Sequence, residues 1–144
     1  MKTRFSSLVT IKKSTMQKSE RVVQNANADL NSAVMALELS INALDDVDTP
    51  KSGIMSGFLA SRALLDSSRE LIKHNQEWVA YAKNQVFIAK NQLKKDMVEF
   101  EKFNYLELEE IKKIIKKRKQ EEAKELDEVA LLTHARKKNM EFSL

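Results

Sequence analysis

Asp45-Asp46-Val47-Asp48-Thr49-Pro50-Lys51-Ser52-Gly53 decides the fold of this chain, because it is the one plausible place for the chain to reverse. Pro50, the only proline, has no N–H to carry a helix through it. Gly53, or Gly57 just beyond, can take the backbone angles a turn needs. Working outward, apolar residues recur at every seventh position. Before the turn come Val9, Met16, Val23, Leu30, Leu37 and Leu44; after it come Phe58, Leu65, Ile72, Val79, Val86, Leu93 and Phe100. At 42% hydrophobic content, seven in a row in one phase arise by chance in roughly 0.2% of cases. Sevens sustained this long specify a left-handed coiled coil.

The ladders also match one another about residue 51. The symmetry sets Leu44 with Phe58, Leu37 with Leu65, Leu30 with Ile72, Val23 with Val79, Met16 with Val86 and Val9 with Leu93. A short connection makes the two helices antiparallel neighbours. The expected fold is therefore all-α, a long antiparallel two-helix coiled-coil hairpin with a longer C-terminal helix. Its bounds read as helix one about 3–46, turn 47–53 and helix two about 54–140, within a single elongated domain 1–144. Val34 and Ile41 are read as companions of the helix-one ladder near the turn. On helix two the companions are Ser61, Ser68, Asn75, Ala82 and Ala89, mostly small or polar.

In this register helix one runs out opposite about position 101, and residues 101–144 overhang. There Glu107, Glu121 and Glu128 replace the apolar ladder, and residues 116–125 contain no large apolar side chain. Ion pairs one turn apart, Glu109 with Lys113, Lys117 with Glu121 and Arg118 with Glu122, are expected to hold the helix. Apolar residues return at Leu126, Val129, Leu131, Leu132, Met140 and Phe142. Nothing inside the chain is expected to cover them.

Composition narrows the function. Two glycines and one proline in 144 residues, against about ten and seven at average usage, leave little material for hairpin-rich sheets or glycine-rich phosphate loops. With no cysteine, disulfides, thiolate metal sites and cysteine nucleophiles are excluded. Apolar runs reach no more than five residues, as at 33–37 and 78–82, far below the roughly 20 needed to span a bilayer. The opening Lys2, Arg4 and Phe5–Ile11 is broken by Ser6, Ser7 and Thr10 and reads as mature protein rather than a signal peptide. Net charge is +4, and no half of the chain is a basic block. Lys112–Lys119 packs six bases into eight positions, and Glu121–Glu128 follows with five acids.

Candidate chemistry is thin. Glu70 and His74 stand one helical turn apart, a metal-compatible spacing that lacks further ligands, and Asp127 with His134 fares the same. Ser52-Gly53-Ile54-Met55-Ser56-Gly57 has no following Gly-Lys-Ser/Thr and is no phosphate loop. Carboxylates on an exposed helix are not desolvated, so nothing tunes them for acid–base work. No enzymatic activity, metal or cofactor is expected. The 112–119 cluster could meet phosphates, but a basic-zipper reader has its sevens after the basic region, and here they come before it. Trp78 and Tyr81, beside Val79, read as flanking the seam or as a protein-docking hot spot.

Phe5-x-x-Leu8 followed by Lys12 and Lys13, with the closing Glu125-Leu126-Asp127-Glu128-Val129-Ala130 before Arg136-Lys137-Lys138, resembles the FliJ family of flagellar export proteins. That resemblance implies a stalk of the flagellar type III export apparatus, similar to the central shaft of rotary ATPases. The implied partners are the hexameric export ATPase, the cytoplasmic domain of the export gate and export chaperones, without nucleic acid. The implied place is the cytoplasmic face of the inner membrane, reached through partners only. Carried onto this chain, the ring contact falls on Phe5, Leu8, Leu126, Val129 and Leu132. The gate contact falls on Leu64, Ser68, Leu71 and Asn75. Members often carry aromatics before the turn, where this chain has Leu39, Asn42 and Ala43. The competing readings are a helical-hairpin nucleic-acid binder and a generic coiled-coil adaptor. Filter binding to RNA across a salt series separates them: a protein-only stalk retains no RNA at moderate salt, whereas an RNA binder does and loses it steeply as salt rises.

Overall fold

The computed structural model describes residues 2–47 and 53–142. Two helices make up the fold, α1 (Ser6–Asp45, 40 residues) and α2 (Met55–Phe142, 88 residues), and the described residues contain no strand. The chain is an all-α two-helix hairpin with a longer second helix. Pro50 lies outside the described residues. Gly53 supplies the turn's left-handed backbone, with φ of 145°, which a side chain would strain. Gly57 is instead helical.

The chain divides into two compact units, residues 13–98 and residues 1–12 with 99–144. Both helices contribute to both units, and in each they run antiparallel. In the 13–98 unit the contacts that fix the register are polar. The Ser19 hydroxyl donates to the Asp96 carboxylate, and the Asn75 side-chain amide donates to the Ala36 carbonyl at 3.2 Å. Symmetry about residue 51 would have set Ser19 level with Lys83 and Ala36 level with Asp66. The observed partners lie thirteen and nine positions further along α2.

Side-chain volume explains the difference. The symmetric pairing sets bulky against bulky, Leu30 on Ile72 and Val23 on Val79, and small against small. Counting between the two observed anchors brings Val23 near Ala89, Ala26 near Val86, Leu30 near Ala82 and Ala33 near Val79. Each bulky side chain now faces a small one, so the layers interdigitate at close helix separation. Burial follows: Ala33 is 0% exposed, and Ala82, Val86 and Ala89 are the other buried apolar residues among those described.

The sevens themselves hold except at Phe58, which was expected against Leu44 and is exposed. On α2 the covered positions step through Leu65, Ile72, Val79, Val86 and Leu93, with Ser61, Ser68, Asn75, Ala82 and Ala89 as companions. On α1 the companions are Ser19, Ala26, Ala33 and Ser40, three residues after each ladder position. Ile41, expected as a companion, is exposed, whereas Val34 is half-buried beside Ala33. Small and hydroxyl-bearing side chains take the tight positions because a β-branched or long one would hold the backbones apart.

The shifted register leaves the start of α2 bare. Residues 53–60 are exposed, and cover begins at Ser61.

The seam yields a stability prediction. Ala33→Leu inserts three heavy atoms into a filled layer and should cost about 1–3 kcal/mol. Exposed Leu39→Ala should change stability by less than about 0.5 kcal/mol. Urea melts followed by circular dichroism check the ranking, and a larger loss from Leu39→Ala would refute the seam.

Candidate functional site

In the unit formed by residues 1–12 and 99–144, the first turn of α1 docks on α2. Thr3 caps this helix: its Oγ1 accepts from the Phe5 N–H at 3.1 Å, and the Ser6 Oγ accepts from the Thr3 N–H at 2.8 Å. This is a capping box with serine in the glutamate's usual place. The same Ser6 hydroxyl donates to Glu107 Oε1 at 2.8 Å. Arg4 reaches Glu110 at 3.8 Å, and Lys12 reaches Glu99 at 3.6 Å and stands 5.7 Å from the Phe103 ring centre. The first turn of α1 contains no acid of its own. Glu107 and Glu110 of α2 bring negative charge to the positive end of its dipole.

Glu107 therefore is not where the pairing stops. Phe103, Glu107, Glu110 and Ile114 all remain partly covered, and α1 reaches about ten residues further along α2 than the symmetric register allowed. The overhang begins at Ile115, and residues 115–141 are exposed throughout. The ion pairs expected within it are not formed. Among the described residues, Glu109 pairs with Lys112 at 3.3 Å rather than with Lys113, just before the bare stretch, and neither Lys117 with Glu121 nor Arg118 with Glu122 forms a pair. Exposed pairs one turn apart gain only about 0.2–0.5 kcal/mol, too little to hold two long side chains together. The charges of residues 116–128 point into solvent.

The expected ring contact splits into two places. Phe5 is half-buried and Leu8 is 39% exposed, both within two residues of Ser6, whose hydroxyl meets Glu107. Leu126, Val129 and Leu132 are 70%, 59% and 66% exposed. They begin nineteen residues beyond Glu107, about 28 Å along the helix at 1.5 Å per residue. The two groups do not form one patch.

The expected gate face is also divided. Leu64 and Leu71 are more than half exposed. Ser68 is partly covered, and Asn75 is buried at 6% exposure with its amide on the Ala36 carbonyl. A partner cannot reach Asn75 without opening the seam; its role is internal. The outward side chains at this level are His74, Trp78 and Tyr81, which with Glu77 line an open groove of about 470 Å³. Tyr81 also borders a second groove with Val22 and Asp29 of α1. Thus Leu64, Leu71, Trp78 and Tyr81 make an exposed stripe on α2. The sequence pointed to Trp78 and Tyr81, but not to their continuity with Leu64 and Leu71; their seven-residue spacing is the signal that links Leu64, Leu71 and Trp78.

Ser6 and Glu107 were invisible as a pair in the sequence. Glu107 read as a break in an apolar ladder, although a carboxylate at a seam position beside a partner helix's N-terminus is a recognisable docking device. Among the described residues, no group of three His, Asp or Glu side chains could hold a metal.

The Ser6–Glu107 bond is testable. Glu107→Ala should cost about 1 kcal/mol and speed hydrogen exchange at the Val9 amide, which bonds the Phe5 carbonyl at 2.9 Å. Glu121→Ala, on the bare overhang, should leave that exchange rate unchanged. Equal protection of Val9 in both variants would contradict the docking geometry.

Comparison with known proteins agrees with the resemblance in the termini. The model of the family described as flagellar FliJ protein matches residues 1–139. A search of curated proteins and a search of solved structures each returned no match. With the match running over nearly its whole length, the chain belongs to the flagellar FliJ protein family and is a component of the flagellar export apparatus.

Proposed function

We propose that this export-apparatus component is a non-enzymatic stalk linking the export ATPase ring to the membrane export gate and assisting export chaperones. The observation that carries the reading is the helix left bare beyond Ile114. Its apolar residues Leu126, Val129 and Leu132 have no cover within the chain. Helices in proteins draw most of their stability from packing of an apolar face rather than from propensity, and a sleeve around this one would supply the missing burial. A single helix about 10–12 Å across with its side chains is thin enough to enter the opening of a ring.

In this reading the ring contact is Leu126, Val129 and Leu132, with Phe5 and Leu8 as a separate collar where α1 docks. The gate contact is the exposed part of the α2 stripe, Leu64 and Leu71, extended by Trp78 and Tyr81. Ser68 and Asn75 hold the seam behind it. No described helix is long and apolar enough to cross a membrane. The proposed place is the cytoplasmic face of the inner membrane, held there by protein partners. Aromatic residues contribute most at such contacts because they bury large rigid surfaces at little entropic cost.

Replacing Leu126, Val129 and Leu132 together with Ser should leave the hairpin's melting midpoint nearly unchanged, since all three lie outside the paired region. It should abolish stimulation of the export ATPase and reduce swimming on soft agar. Full stimulation by this variant would move the ring contact elsewhere on the chain. Leu71→Ser with Trp78→Ser should instead weaken binding to the gate's cytoplasmic domain at least about tenfold, consistent with hot-spot losses of 2 kcal/mol or more, while sparing ATPase stimulation.

A further inference from the structure

The side of α2 away from α1's docked turn has a seven-residue repeat of its own. Leu108, Lys112, Ile115, Lys119, Glu122, Leu126, Val129 and Thr133 alternate four and three residues apart. At 100° per residue they lie on one stripe, roughly 120° around the helix from the seam positions Phe103, Glu107, Glu110 and Ile114. All eight are exposed. Lys119, Glu122, Arg118 and Glu125 form no ion pair among the described residues.

We infer that this stripe pairs with the same stripe of a second copy of the chain, antiparallel, about a two-fold axis between Lys119 and Glu122. Charge complementarity selects this occupant. A basic block followed directly by an acidic block is self-complementary only when the second helix runs the other way. In that arrangement Lys119 faces Glu122 of the second copy, and Arg118 on the flank faces its Glu125. Ile115 packs on its Leu126, and each of these layers occurs twice. Parallel pairing would set Lys119 on Lys119 and Glu122 on Glu122. The groove on this side, about 510 Å³ and lined by Lys112, Ile115, Lys116, Lys119, Gln120 and Ala123, has room beside Ala123 for an incoming side chain.

Only two of the layers within residues 108–133 are apolar on both sides, so the dimer is weak. It stands independently of the ATPase reading, but it covers Leu126 and Val129. Self-pairing and ring docking therefore compete for one surface.

Sedimentation equilibrium of the full chain at about 10–500 µM and low salt tests the pairing without any partner. A monomer–dimer equilibrium that weakens with salt is expected. Lys119→Glu alone and Glu122→Lys alone should each weaken the dimer about tenfold or more, because each places two like-charged layers at the axis. The double variant, Lys119→Glu with Glu122→Lys, restores opposite charges across the axis and should recover the dimer. As a register check, equal amounts of Ile115→Cys and Leu126→Cys chains should oxidise to a mixed disulfide, since the native chain has no cysteine. A chain that stays monomeric throughout, a double variant no better than the singles, or cross-linking that favours Leu126 with Leu126 positions would overturn the proposal.

Discussion

Two helices can approach closely along their length only where each large side chain meets a small one, and that volume constraint governs the rest of this structure. Ala33, Ala82 and Ala89 are buried because their backbones come near the opposing helix, and Leu30 and Val23 fill the space those alanines leave. The bulky ladder alone would allow several registers, since a slide by one heptad meets another leucine or valine. Alternation with small residues narrows the choice. The helices then stop where their lengths dictate, with the start of α2 bare before Ser61 and its end bare beyond Ile114.

Polar groups in the seam add specificity to this packing. Asn75 gives its amide to the Ala36 carbonyl, and Ser19 gives its hydroxyl to Asp96. A slide along the seam would break both bonds and leave the Asn75 amide buried without its partner, which costs more than the bond contributes when made. Single buried asparagines in coiled coils fix register in this way. At the other unit, Ser6 satisfies the Thr3 N–H and Glu107 at once. The same serine thus caps a helix and docks it.

Much of this was legible in the sequence. Seven-residue spacing from Val9 to Leu44 and from Phe58 to Phe100 specified the two helices, and the stretch around Pro50 specified the reversal. The register was not legible from the bulky ladder, because symmetry about residue 51 treats every leucine as equivalent. The small residues carried the missing information: Ser19, Ala26, Ala33 and Ser40 are as regular as the leucines, and they alternate with them. Asn75 was expected at the gate contact because of the family resemblance, yet its place among the seam companions Ser68, Ala82 and Ala89, read from the same spacing, marked it as internal. The bare end of α2 was legible in kind, from the gap in apolar residues between Ile115 and Leu126. Its starting point depended on the register and moved with it.

Function depends on the same register, because it decides which surfaces a partner can reach. With Asn75 enclosed, the outward stripe on α2 consists of Leu64, Leu71, Trp78 and Tyr81; with α1 docked as far as Glu110, the bare helix proposed as the ring contact begins at Ile115. Paired cysteines test this most directly, since the native chain has none. Ser19→Cys with Asp96→Cys should close an intramolecular disulfide under mild oxidation, because the side chains at these positions already touch. Ser19→Cys with Lys83→Cys should remain reduced. Closure of the Lys83 pair, with the Asp96 pair staying open, would restore the symmetric register and contradict the account.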